Sequence, residues 1–282
     1  MAYQGEPGAF SEQACRYFVP EAEPVGLPTF AAVFEAVGDH QVEWGTVPVE
    51  NSYAGSVPTV YDLIQQHTLM IFADLLLPVE QVLMALPGTR LEDIRRVISH
   101  PQALAQCDQY LARTTWELVP ALDTAGSARQ LVQEGRRDVA VIASRQAAKN
   151  YGLEILADRI MSQSDNRTRF WLIGPMGRPR LPGRAQTTTI ALALNNQPGA
   201  LYHALEPFAQ AHINLYKIES RPDVRPFSSR FILEFEGDLA DPATAEAVER
   251  CGQACRWLRV LGSYPRIPVP APNGRSDDRG AG

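Results

Sequence analysis

The apolar positions of this chain fall into two rhythms. Phe30, Val33, Phe34 and Val37 recur at i, i+3, i+4 and i+7, which predicts a helix with one buried stripe, capped by Thr29. An earlier helix is predicted to about Phe18, with Ser11 as its N-cap and Ala14, Cys15 and Phe18 on one face. Residues 44–49 read as a strand. It runs into Glu50-Asn51-Ser52-Tyr53-Ala54-Gly55-Ser56-Val57-Pro58, where Pro58 suits the first position of a helix and Ser56 lies near its cap. Residues 69–86 are apolar and extended, broken by Pro78, the pattern of a chain crossing between two lobes.

A strand–helix alternation follows. Residues 96–99 read as a strand, and His100-Pro101-Gln102 opens a helix through Leu111. Residues 116–119 form a strand, and residues 123–127 open the next helix. Residues 139–143 are an apolar strand, and Ser144 caps a helix ending at Gly152. Such alternation predicts a mostly parallel sheet. Residues 174–184 carry three Pro and three Gly, a linker. After it the order βαββαβ over about 75 residues predicts a small ferredoxin-like α+β sandwich. From Pro265 the chain is rich in Pro, Gly and charge and reads as disordered.

Composition changes this picture little. The 282 residues, 45% of them hydrophobic, suffice for one large domain or two. A net charge of −6 without a basic stripe argues against nucleic acid as a partner. No apolar run reaches membrane-spanning length and no signal-peptide pattern opens the chain, so a cytoplasmic protein with no membrane partner is expected. Cys15, Cys107, Cys251 and Cys255 lack metal-ligand spacing. Cys251 and Cys255, four apart on a predicted helix, read as packing residues rather than a redox pair.

The candidate chemistry lies where polar stretches interrupt these elements. Ser164-Asp165-Asn166-Arg167-Thr168-Arg169-Phe170-Trp171 offers two arginines, an Asn and a Thr, groups that hold an anion and donate hydrogen bonds to it. A solvated connection is the alternative. Gly5 and Gly8 let the backbone approach a ligand at the first helix start, and helix starts attract anions. Gly55 and Ser56 again precede a helix start at a strand's carboxyl end, where open α/β sheets bind ligands. His100 reads as a cap or a packing residue, with a site role as the alternative.

Seven stretches in this order resemble the prephenate dehydratase family with a C-terminal ACT regulatory domain. They are Gly5-Glu6-Pro7-Gly8-Ala9-Phe10-Ser11, Val47-Pro48-Val49-Glu50-Asn51-Ser52, Gly55-Ser56-Val57, Ser99-His100-Pro101-Gln102-Ala103-Leu104, Thr168-Arg169-Phe170, Pro198-Gly199-Ala200-Leu201 and Glu219-Ser220-Arg221-Pro222. The resemblance covers residues 1 to about 264. Ala9 departs from it, since the family usually has Thr there, and the first strand is only a stub.

The resemblance implies an α/β catalytic domain over residues 1–178, two-lobed like a periplasmic binding protein. One lobe would comprise residues 1–75 and 160–178, and the other residues 80–155. A linker at 179–186, an ACT domain at 187–264 and a tail at 265–282 would follow. It also implies the conversion of prephenate to phenylpyruvate, water and carbon dioxide in phenylalanine biosynthesis, by a chemistry needing no metal or redox cofactor. By resemblance Thr168 is the essential residue, donating a hydrogen bond to the leaving hydroxyl. Glu50, if burial raises its pKa, or His100, if protonated, would feed it a proton; an ion pair between lobes is the other reading of Glu50. Asn51 and Ser52 would orient the substrate. Gly8, Ser11, Gly55, Ser56, His100, Gln102, Arg169 and Phe170 would bind it, with a plain salt bridge the alternative for Arg169. L-Phenylalanine would bind as effector at Gly199, Ala200, Leu201, Tyr202, Asn214, Glu219, Ser220, Arg221 and Pro222, between subunits of a homodimer or homotetramer. Arogenate dehydratase and a non-enzymatic amino-acid sensor are the rival readings. With no mutase segment ahead of residue 1, the chain is not expected to make its own prephenate.

Overall fold

The computed structural model describes residues 1–163, 165–222 and 229–270. The first residues supply β1 (Ala2–Gln4), α1 (Phe10–Phe18), β2 (Val25–Leu27) and α2 (Phe30–Gly38). Next come β3 (Gly45–Asn51), β4 (Gly55–Ser56), α3 (Pro58–Gln66) and the long β5 (Leu69–Pro78). The chain crosses to β6 (Val82–Ala85), β7 (Arg96–Ser99), α4 (Pro101–Gln106), α5 (Asp108–Leu111) and β8 (Glu117–Pro120). It continues through α6 (Thr124–Glu134), β9 (Val139–Ala143), α7 (Arg145–Tyr151) and β10 (Glu154–Ala157), then returns as β11 (Arg167–Pro175).

The first sheet has the order β2-β1-β3-β11-β5, with β4 hairpinned onto β3, and the second β10-β6-β9-β7-β8. The predicted helix signals hold where the physics is local. Thr29 accepts from the Ala32 N–H, Asp123 from Gly126 and Ser144 from Ala147, and Gly152 ends α7 in the left-handed region. Two caps differ. Helix α1 starts one residue before Ser11, with Ala9 at its N-cap, and α3 starts after Val57, with Ser56 in β4; neither has a side-chain cap. The second sheet is also less parallel than the alternation predicts. β7 pairs parallel with β8 and β9, but β6 pairs antiparallel with both β9 and β10. The reason is that β6 enters from the crossing rather than from a helix that returns the chain.

The two crossings touch. The Val79 N–H donates to the Asn166 carbonyl at 2.8 Å, so both strands between the sheets run side by side. Gly8 ties the sheets at another point. Its φ is +95°, a Cβ there would lie 2.6 Å from the Ala147 Cα, and its carbonyl accepts from Ser144 Oγ at 2.6 Å. No side chain fits between the start of α1 and α7.

After residue 175 come β12 (Thr187–Ala193), α8 (Ala200–Gln210), β13 (Leu215–Pro222), β14 (Ser229–Glu236), α9 (Pro242–Gln253) and β15 (Trp257–Tyr264). They form an antiparallel sheet of order β13-β14-β12-β15. This sheet shares a core with the first one: Ala191, Ile232, Leu261 and Tyr264 pack with Val60, Tyr61, Ile64 and Trp171. Residues 265–270, expected to be disordered, instead dock on the first sheet. The Ile267 N–H donates to the Asp74 carbonyl at 2.7 Å, and Ile267 and Val269 pack near Phe72 and Leu75. The rest of that tail, Ser164 and residues 223–228 lie outside the described residues. All four cysteines are free; burial pushes the Cys15 thiol up to about 11 and the Cys107 thiol up to about 12. Among the described residues no helix is long and apolar enough to cross a membrane.

Candidate active site

A cavity of about 690 Å³ opens between the first and second sheets. Its wall is built from the first turns of five helices. Ala9, Phe10 and Ser11 open α1; Thr29, Phe30 and Ala31 open α2; Val57 and Thr59 open α3. His100, Gln102 and Ala103 open α4, and Asp123 and Thr124 open α6. Among the described residues no Lys or Arg lines it. An anion there would be held by helix N-termini and hydroxyls instead of by a side-chain cation. Each such helix start carries free N–H groups and roughly half a positive charge. The uncapped starts of α1 and α3 keep these groups most available.

Thr168, on β11, faces this cavity. Asn51, directly opposite it on β3, is 8% exposed and organises the polar side. Its Nδ2 donates to Thr168 Oγ1 at 3.0 Å, to Asn166 Oδ1 at 2.8 Å and to the Arg167 carbonyl at 3.2 Å. Its Oδ1 accepts from the Tyr53 and Ala54 N–H groups at 3.1 Å each. Gln102 Nε2 reaches the same Oδ1 at 3.5 Å. Because the Thr168 oxygen already accepts from Asn51, its own O–H is left to donate toward a ligand. His100 Nδ1 accepts from the Gln102 N–H at 3.2 Å, so the hydrogen of a neutral ring sits on Nε2.

The cavity brings together Ser11, Asn51, His100, Gln102, Thr168 and Phe170. Other expected site residues lie elsewhere. Ser52 stands behind the site: its Oγ accepts from the Arg167 N–H at 3.0 Å and its N–H donates to the Arg167 carbonyl at 2.9 Å. Gly8 joins α1 to α7, and Gly55 turns the β3–β4 hairpin at φ +76°. Ser56 Oγ donates to Glu219 and accepts from Lys217 at 2.9 and 2.8 Å, away from the cavity. Glu50 and Arg169 are corrected for one reason: side chains alternate along a strand. With Asn51 and Thr168 on the cavity side, Glu50 points to Lys217 Nζ at 3.0 Å, and Arg169 to Asp74 and Glu234 at 2.7 and 2.5 Å. Both are ion pairs: for Arg169 this is the alternative reading, whereas Glu50 pairs with Lys217 on β13 and not across the lobes.

Glu50 therefore has a testable consequence. Glu50→Gln is expected to leave the acidic limb of the pH–rate profile in place and turnover within about 3-fold, since its carboxylate lies outside the cavity wall and Lys217 keeps Ser56 and Glu219 as partners. A profile recorded from pH 5 to 9 checks this; a displaced acidic limb would make Glu50 the proton donor after all.

Sequence reasoning missed Gln81, and it placed Asn166 in the 164–171 stretch without giving it a role of its own. Gln81, 4% exposed, lies on the first crossing and lines the cavity, with its Oε1 unpartnered. Its signal is the polar pair Glu80-Gln81 inside an apolar run. Asn166, 2% exposed, holds Asn51 with Oδ1 while its Nδ2 has no partner.

Of the expected effector residues, Gly199 has φ +80° at the start of α8, and Tyr202, Asn214 and Ser220 are exposed. Glu219 and Arg221 face the first sheet's side, Arg221 gripping Asp62 with contacts of 3.1 and 2.6 Å.

Fold and cavity define an α/β protein with a cleft lined by helix starts, hydroxyls and amides, groups that suit a small anion. Over residues 1–177 the chain matches the family model for prephenate dehydratase. It is 41% identical over 277 residues to arogenate dehydratase/prephenate dehydratase 2, chloroplastic, of Arabidopsis thaliana, covering 94% of this chain and 72% of that protein. It is 36% identical over 271 residues to the bifunctional N-acyl-homoserine lactone acylase/prephenate dehydratase of Komagataeibacter europaeus, covering 95% and 96%. Prephenate dehydratase from Arthrobacter aurescens, solved in complex with L-Phe, matches with a TM-score of 0.87 at 31% identity, over 95% of this chain and 90% of that one. The chain belongs to the prephenate dehydratase family, a family of dehydratases in aromatic amino-acid biosynthesis.

Proposed function

We propose that this chain is a prephenate dehydratase, with residues 1–178 as its two-lobed catalytic domain and residues 187–264 as an ACT domain that responds to phenylalanine. The observation that carries the reading is the Thr168 hydroxyl, whose oxygen accepts from Asn51 so that its hydrogen is directed at a cavity of helix starts.

In the reaction the bond from the ring to its carboxylate breaks, and the electron pair moves through the ring to expel the 4-hydroxyl. With one proton that hydroxyl leaves as water, and the ring becomes aromatic. Thr168 donates to the departing oxygen, a group whose charge grows in the transition state. The side-chain carboxylate, which keeps its charge, is held by the uncapped starts of α1 and α3. The ring carboxylate loses its charge, so a wall without Lys or Arg suits it. Of the two expected proton sources His100 is the one on the wall, and to act it would give up the bond that its Nδ1 accepts from the Gln102 N–H; Glu50 is engaged by Lys217. Asn51, Gln102 and Ser11 orient the substrate, and Phe170 lies along its ring.

Arogenate is the second reading, favoured by the names of the plant relatives. It carries an ammonium where prephenate has a keto oxygen. Asp123, the single Asp or Glu on the wall among the described residues, would meet it. Its Oδ1 caps α6 through the Gly126 N–H, which leaves Oδ2 to meet an ammonium, while the family model over residues 1–177 supports the keto acid. Comparing kcat/KM on both substrates decides between them: a higher value for prephenate is expected, a higher value for arogenate reverses the assignment, and turnover of neither removes it.

Phenylalanine would bind at Gly199, Ala200, Leu201, Tyr202, Asn214 and Ser220, between subunits of a dimer or tetramer. Glu219 and Arg221 would report on the site through their ties to Ser56 and Asp62. The βαββαβ order and the L-Phe complex of the Arthrobacter relative support this. Four free thiols suit the cytoplasm.

A further inference from the structure

Thr168 and Arg169 are neighbours on β11 with opposite duties. Behind the cavity the Arg169 guanidinium, 9% exposed, reaches three strands. Its Nε bonds Asp74 on β5 at 2.7 Å. Its Nη1 lies 2.5 Å from Glu234 on β14, an ion pair without hydrogen-bond alignment. Its Nη2 donates to Tyr264 Oη on β15 at 3.3 Å. Two of these three partners belong to the βαββαβ unit. Asp74 and Glu234 are both fully buried, and Arg266 adds two contacts to Asp74 at 3.0 and 2.7 Å. Two carboxylates thus face two arginines. Burial works against the Arg169 charge, but Tyr264, Glu234 and Asp74 outweigh it and raise its pKa. Burial, followed by Glu234, keeps the Tyr61 phenol protonated, and it donates to Glu234 at 3.2 Å.

Stability alone is a poor reason for this cluster. Apolar side chains of similar volume commonly serve a buried site as well as an ion pair does, and the surroundings here are Trp171, Ala191, Ile232 and Leu261. What a guanidinium fork adds is position. Position is what the backbone leaves open at this point. The ladder between β11 and β3 pairs Arg169 with Glu50 but Phe170 with Pro48, so a bulge interrupts it one residue beyond Thr168. The hydrogen bond from Asn51 to Thr168 thus spans strands whose register is broken beside it.

We propose that Arg169 is a positioning residue for Thr168, and that Glu234 is the group through which the βαββαβ unit sets where the Thr168 hydroxyl lies against Asn51. The proposal rests on the reading of Thr168 as the acting hydroxyl.

Glu234→Gln keeps the shape and removes one charge. A folded variant is expected to lose about 10- to 100-fold in kcat, the cost of a misplacement of about an ångström, with KM within about 3-fold. The double variant Arg169→Met, Glu234→Leu leaves Asp74 paired with Arg266 and keeps the charge balanced. It is expected to recover thermal stability but not kcat, and to show faster amide exchange over residues 166–170 than the wild type. A kcat for Glu234→Gln within 2-fold of wild type, or a double variant that regains kcat together with Tm, would overturn the proposal. Should the wild type turn over neither substrate, the functional reading fails separately. The exchange measurement then decides alone: faster exchange at 166–170 supports positioning, and unchanged exchange removes it.

Discussion

Thr168→Ala is expected to reduce turnover about 10²- to 10³-fold while the fold stays intact, since loss of one placed donor to developing charge typically costs that much. The hydroxyl is half-buried, and its one hydrogen bond among the described residues is the 3.0 Å bond it accepts from Asn51. Asn51 keeps two further acceptors, at Asn166 and the Arg167 carbonyl, so its geometry survives the change. The effect should therefore fall on kcat, with KM and Tm little moved. Thr168→Ser restores the donor without the methyl and should retain substantial activity. Steady-state kinetics on the three proteins separates the cases: a serine variant as slow as the alanine one would count against the hydroxyl, and near-normal turnover by the alanine variant would remove Thr168 from the chemistry.

Asp74→Ala should be the most destabilising single change among the buried charges. Asp74 is fully buried and pairs with both Arg169 and Arg266. Its removal leaves Arg169 with Glu234 as its remaining carboxylate and takes from Arg266 both of its Asp74 contacts. Breaking a buried pair from one side costs about 3–5 kcal/mol, and at about 2–4 °C per kcal/mol for a chain of this size Tm should fall by roughly 10 °C. The exposed pair of Arg90 and Glu92, whose side chains are 71% and 65% accessible, supplies the contrast. Arg90→Ala should leave Tm close to the wild-type value. Thermal melts of the two variants side by side test the difference; an Asp74 variant as stable as the Arg90 one would mean that the cluster relaxes or takes up water.

What the sequence made legible was local. The stripe of α2, the caps at Thr29, Asp123 and Ser144 and the end of α7 at Gly152 follow from groups within a few residues of one another. The crossing through β5 was visible as an apolar run too long for one strand. The site's membership was not local. The resemblance puts Glu50 with Asn51 and Arg169 with Thr168 in one site, yet adjacency on a strand puts side chains on opposite faces. That argument needs the strand read at 44–49 to run on to Asn51, as β3 does. Other facts needed three dimensions. Gly8 meets Ala147 across 139 positions, and Gln81 joins the wall from the crossing between the two sheets. In the tail, Ile267 and Val269 alternate with polar or proline positions as a docked strand would, a signal that composition concealed.

The most direct test is phenylpyruvate formation from prephenate by the purified wild-type protein, with and without L-phenylalanine. The account predicts turnover that changes when phenylalanine is added, as expected if the βαββαβ unit and the cavity are joined through the Arg169 cluster and the Glu219 and Arg221 ties. Folded protein that forms no phenylpyruvate at all would contradict it.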